Sequence, residues 1–191
     1  MIAAGADESW GRWRGVGPLS SIQLSIIAPP AAFVGGVIAS SGVRTWLREL
    51  DLARLLQWQV LRALGASHLV SWGLGRIGGG FALPVGLGNL AISLLAAHAT
   101  LLAARRAPHH RRWAFALSVL GLAEFAMTIA LAISGVFANA SRFDPPLSAD
   151  GYATIGALPI SLFPTLLIPL FSTLHLAALA KLRLERITAT S

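Results

Sequence analysis

The chain has 191 residues, 55% of them hydrophobic and 12% charged, about half the charged share of an ordinary soluble domain. The charges are also segregated: segments 15–43, 55–75, 77–104, 113–141 and 151–180 hold only Arg62 and Glu124, and the remaining residues hold the other 21 of the 23. Five apolar windows of about 20 residues each match the thickness of a bilayer's hydrocarbon core, so the sequence predicts an all-α, polytopic transmembrane helix bundle with no room for a soluble catalytic domain.

In chain order, residues 1–18 form an outer N-terminal segment, and a single five-helix membrane domain follows over 19–180. Its spans fall at about 19–41, 55–75, 81–104, 113–138 and 156–180, and 181–191 is a cytoplasmic tail. Asp7, Glu8, Arg12 and Arg14 precede the first apolar run, without the basic start and small-residue cleavage site of a secretory signal. Pro29-Pro30 predicts a kink or break in span 1. The glycine-rich stretch from Gly75 to Gly80 predicts a tight antiparallel hairpin between spans 2 and 3. Pro84 sits in the first turn of span 3, where proline is tolerated, and Pro159, Pro164 and Pro169 predict a bent or partly unwound span 5.

Alternating the five spans places Arg44, Arg48, Arg54, Arg105, Arg106, Arg111, Arg112, Lys181, Arg183 and Arg186 on one side and four arginines on the other. The excess marks the cytoplasmic side, giving N-terminus out and C-terminus in. The formal net charge of +7 is therefore a topology signal, and no nucleic-acid partner is implied. Trp10, Trp13, Trp46, Trp58, Trp72 and Trp113 lie near the predicted span ends, as in an aromatic belt. The absence of cysteine excludes disulfides, thiolate metal sites and c-type haem attachment.

Glu124 lies about 16 Å into span 4, too deep to reach water, so it needs a proton or a partner. Arg62 is the other intramembrane charge and either snorkels to the headgroups or pairs with Glu124. Gly121, Thr128 and Gly135 share roughly one face of span 4 with Glu124, and Ser161, Thr165, Ser172 and His175 form a similar stripe on span 5. Arg62, Glu124, Gln59, Asn89, Thr128 and Ser172 are the candidate substrate or ion pathway. His68, His98 and His175 are a candidate proton relay or pair of haem b ligands, since neutral imidazole is a usual axial ligand. No metal site is predicted. Two glycine patterns, at 73–78 and 86–91, fit a dinucleotide fingerprint but lack its strand context. Pro84, Gly86, Gly88 and Asn89 suggest an outward-facing vestibule.

The segments 59–65, 81–89, 121–124 and 169–175 resemble a group of small, uncharacterised bacterial polytopic membrane proteins, over about residues 55–180. The resemblance implies acidic residues where Asn89 and Glu124 stand, so Asn89 departs from the pattern. The expected function is a non-enzymatic permease-like carrier, or an accessory subunit of a membrane complex, in a bacterial cytoplasmic membrane. The bilayer is the first partner, with a homo-oligomer or a larger complex as a further one. The alternative is a haem-binding electron-transfer module or membrane oxidoreductase.

Overall fold

The computed structural model describes residues 21–133 and 163–190, and within them the chain is built of helices and turns alone. The elements are α1 (Ser21–Ala39), α2 (Ser41–Glu49), α3 (Leu52–Gln57), a 3-10 helix (Trp58–Ala66) and α4 (Ser67–Gly73). They continue with α5 (Gly79–Ala104), α6 (His110–Ile133), a π-helical turn (Phe163–Leu167) and α7 (Ile168–Thr190). Among the described residues, three helices are long and apolar enough to cross a membrane, over Gly79–Ala104, His110–Leu131 and Thr165–Ile187; α1 and α2 make a fourth if counted together. The windows at 81–104, 113–138 and 156–180 overlap these three helices and the window at 19–41 overlaps α1, whereas the window at 55–75 falls on the short segments from α3 to α4, none of which is long enough to cross a membrane alone.

Span 1 departs from its expectation. The helix runs on through Pro29 and Pro30, and the break comes at Ser40, where the axis turns by 104°. Ser40 is extended (φ −116°, ψ 121°), and its Oγ accepts from the Val43 N–H at 3.3 Å. A serine cap on a new helix therefore turns the chain where the prolines do not. The Arg44 guanidinium then donates to the Val37 and Ile38 carbonyls at 2.9 Å each, satisfying the last turn of α1.

Span 2 also differs, because nine residues at its middle wind as a 3-10 helix. Runs this long are uncommon. The buried residues there are Gln59, Arg62 and Gly65, three apart. In an α-helix they would fan over about 120°, whereas the three-residue turn keeps them in one row facing the bundle.

The hairpin after α4 closes as the glycines predict. Arg76 N–H donates to Ser71 O (2.9 Å) and Gly75 N–H to Trp72 O (2.8 Å), with Gly75 at φ +68°, a Schellman motif on the residue type that tolerates it. The same motif ends α5 through Ala107 N–H to Leu102 O and Arg106 N–H to Ala103 O, here with Arg106 at φ +49°.

α5 packs against α3, the 3-10 helix and α4 on one side and α6 on the other, while α7 packs against α6, α1, α2 and α3. Leu47, Leu55, Ala177 and Leu184 form an apolar cluster where α2 and α3 meet α7, and two further apolar layers lie along α5. Leu56, Ile92, Ala96, Ala99, Ala114, Leu117, Ala178 and Leu182 form one, whose alanines let the helices approach closely. Ile77, Phe81, Ala82 and Val85 form the other. Along α5, Asn89 stands between Val85 of one layer and Ile92 of the other, so the polar residues occupy the level between two apolar ones.

Span 5 is partly irregular, as its prolines predict: Pro164 lies in the π-helical turn and Pro169 at the start of α7. α7 then continues unbroken to Thr190, so Lys181, Arg183 and Arg186 stand on helix. Lys181 is buried, donating from Nζ to the Arg48 carbonyl at 2.7 Å and pairing with Glu185 at 2.8 Å. This contact ties the end of α2 to α7. Pro159, Ser161, Gly135 and the N-terminal segment 1–18 lie outside the described residues.

Candidate functional site

Arg62 is 1% exposed and four of its five N–H donors have partners. Nε donates to Asn89 Oδ1 at 3.0 Å, and Nη1 donates to the Gly121 carbonyl at 3.2 Å. Nη1 also lies 3.3 Å from His175 Nε2. Nη2 pairs with Glu124 Oε2. The guanidinium carbon sits 3.9 Å from the centre of the Phe125 ring, whose face is attractive to a cation. The alternative of a snorkelling Arg62 is therefore not the one adopted: the side chain points into the bundle.

Glu124 is held from three sides. Beyond Arg62, its Oε1 accepts from Asn89 Nδ2 and from Thr128 Oγ1, both at 3.1 Å. Asn89 is the hub, accepting from Arg62 and donating to Glu124 and to the Val85 carbonyl (2.9 Å). An amide serves both charges at once, accepting from the cation and donating to the anion. A carboxylate at that position would accept from Arg62 but meet Glu124 with like charge.

Because a guanidinium only donates, His175 Nε2 must accept from Arg62, leaving the imidazole neutral with its proton on Nδ1. That Nδ1 is buried without a hydrogen-bond partner, as is Gln59 Oε1. Gln59 itself donates from Nε2 to the Phe171 carbonyl at 3.1 Å, one helical turn before His175. A donor and an acceptor thus remain unspent where the 3-10 helix meets α7.

Missing side chains make the room. A Cβ on Gly121 would lie 2.1 Å from His175 Nε2, and one on Gly65 would lie 2.6 Å from Asn89 Cγ. A Cβ on Gly88 would come within 3.0 Å of Glu124 Cγ, and one on Gly86 within 2.6 Å of Leu69. Gly86 and Gly88 are therefore close-packing positions against Leu69 and Glu124, not the mouth of an open vestibule.

Of the residues singled out from sequence, Gln59, Arg62, Asn89, Glu124, Thr128 and His175 converge on one level of the bundle. Ser172 is half-buried on α7 and makes none of the hydrogen bonds of the cluster. The three histidines have separate surroundings. His68 Nδ1 donates to the Gly65 carbonyl at 2.7 Å and its ring meets Phe81 edge-on. His98 is exposed and lies edge-on to Trp113 with ring centres 4.8 Å apart, while His175 is buried against Gly121 and Phe125. The equal depths expected of His98 and His175 therefore do not produce a facing pair, because the two rings leave their helices in different directions. Phe125, next to Glu124, contributes its ring face to Arg62, a contact that no spacing in the sequence marks.

A family model described as Domain of unknown function (DUF8737) matches residues 20–183. Neither a curated protein nor a solved structure matches the chain. The matched region contains the whole cluster around Arg62 and Glu124.

Proposed function

The chain belongs to the DUF8737 family, and from the geometry of its buried cluster we propose that it is a small multi-pass membrane carrier in which Glu124 exchanges Arg62 for a proton. The proposed topology has five spans, N-terminus out and C-terminus in, in a bacterial cytoplasmic membrane. The observation that carries the reading is the fully buried Arg62–Glu124 pair, set on a helix that departs from α geometry at the arginine.

The described arrangement corresponds to the closed state, with the two charges neutralising each other and their remaining polar atoms hydrogen-bonded to Asn89, Thr128, Gly121 and His175. Opening it costs several kcal/mol if either charge is left alone, since breaking a buried pair by losing one partner typically costs about 3–5 kcal/mol. A proton on Glu124 removes half of that cost: the neutral acid keeps Oε1 as an acceptor for Asn89 and Thr128 while Arg62 is released. Separation and protonation are thereby linked.

The 3-10 helix supplies a means of movement. Rewinding its nine residues as α-helix would shorten the segment from about 18 Å to about 13.5 Å and rotate Arg62 by about 60° relative to Gln59. The released guanidinium, together with the unspent Gln59 Oε1 and His175 Nδ1, would offer donors and an acceptor to a small polar solute. Discontinuous helices at mid-membrane polar sites are a recurring feature of carriers.

Proteoliposomes loaded with a pH-sensitive dye test this reading. Wild-type protein is expected to equilibrate an imposed pH gradient faster than empty vesicles, and Glu124→Gln, which is isosteric but holds no proton, to return the rate to that background. Equal rates for wild type and Glu124→Gln would overturn the assignment.

A further inference from the structure

At the end of the bundle that carries the basic clusters, the start of α6 and the last turns of α7 border a groove of about 790 Å³. Four arginines line it, Arg111, Arg112, Arg183 and Arg186, above an apolar floor that includes Phe115 and Leu179. Arg111 is turned inward, donating to the Leu182 carbonyl at 3.1 Å and pairing with Glu185 at 3.4 Å. Glu185 also holds Lys181, so this carboxylate is shared between two cations. Arg112 and Arg183 are exposed beside it.

The two walls repeat one pattern. On α6, Phe115 follows Arg111 and Arg112 by four and three residues, so it lies one turn deeper on the same face. On α7, Leu179 precedes Arg183 by four residues and again lies one turn deeper. Phe115 is 56% exposed, an apolar ring beneath a ring of cations. Free phosphate would engage the cations alone and give the floor no role. An amphiphile with an anionic head and an acyl chain uses both.

We propose that this groove is a binding site for an anionic phospholipid, with its phosphate between Arg112 and Arg183 and an acyl chain along Phe115 and Leu179. Basic pockets between membrane helices are suited to such headgroups, each cation near the surface contributing about 1 kcal/mol. The inference requires that the chain sit in a bilayer and is independent of proton exchange at Glu124.

Native mass spectrometry of the full chain in detergent, titrated with phosphatidylglycerol or with phosphatidylcholine of the same acyl chains, tests it. One phosphatidylglycerol per chain should persist where phosphatidylcholine does not. Arg112→Gln with Arg183→Gln should weaken that binding by about tenfold or more. Arg105→Gln with Arg106→Gln, which removes the same charge from a neighbouring turn outside the groove, should change it by less than about twofold. Phe115→Ala should also weaken it with every cation in place, and carries the test alone if the double arginine variant does not fold. Equal losses in the two double variants, equal binding of the two lipids, or full displacement by millimolar inorganic phosphate would each overturn the proposal.

Discussion

The chain uses the arginine–glutamate pair twice, and the two uses are opposite in kind. Arg62 and Glu124 sit at side-chain exposures of 0% and 6% between two apolar layers, whereas Arg111 and Glu185 sit at 43% and 33% at the end of the bundle. The first pair is enclosed by partners on four helical segments. The second is open to solvent or headgroups and shares its carboxylate with Lys181. Burial decides what each contributes: the enclosed pair must be kept whole or neutralised, and the exposed one is screened and replaceable.

The largest expected effect comes from splitting the enclosed pair. Arg62→Gln should lower stability by about 3–5 kcal/mol at neutral to alkaline pH, read as a loss of thermal stability in detergent, because Glu124 loses its buried counter-charge and keeps only the neutral donors Asn89 and Thr128. Arg62→Met combined with Glu124→Leu should recover most of that stability while leaving vesicle proton flux at background. A double variant as unstable as Arg62→Gln would mean that the pair itself, and not the orphaned charge, sets the cost.

Smaller effects follow from the surrounding packing. Gly121→Ala should cost about 1–3 kcal/mol, since the added methyl must push the His175 ring away from Arg62. At the exposed end, Arg106→Gly should raise stability by up to about 1 kcal/mol, because a side chain at φ +49° is disfavoured where glycine is not. Arg111→Gln should change stability by less than about 1 kcal/mol. A loss at Arg111 as large as that at Arg62 would erase the contrast between the two pairs.

Arg62 and Glu124 were legible in the sequence because they are the two charges left inside the apolar windows, and neither has enough alternatives to stay unpaired. Asn89, Gln59, Thr128 and His175 were legible as polar residues inside apolar windows, but Asn89 read as part of an outward vestibule and not as a neighbour of Arg62. What periodicity did not reveal was direction. α5 and α6 are apolar on nearly all sides, with Leu94 and Phe115 outward and Ala96 and Leu117 inward, so no polar face marks which side packs. For that reason His98 and His175 read as equivalent although one is exposed and the other buried.

The helical character of the chain and the hairpin at Gly75 were likewise readable, since turn glycines and apolar windows are local signals. The 3-10 winding over Trp58–Ala66 was not. It keeps Gln59, Arg62 and Gly65 turned toward the bundle, against Phe171, the charged cluster and Asn89, a tertiary demand that overrides local α-helical preference. The capped break at Ser40 was hidden in the same way, behind the more conspicuous prolines eleven and ten residues before it.

Infrared difference spectroscopy on the reconstituted protein, stepped across roughly pH 4 to 9, tests most directly whether the enclosed pair takes up a proton. A carboxylic-acid carbonyl band is expected to rise as the pH falls in the wild type and to be missing from Glu124→Gln. A spectrum in which no pH-dependent carboxyl signal is lost with Glu124 would contradict proton uptake and leave the pair a fixed structural tie.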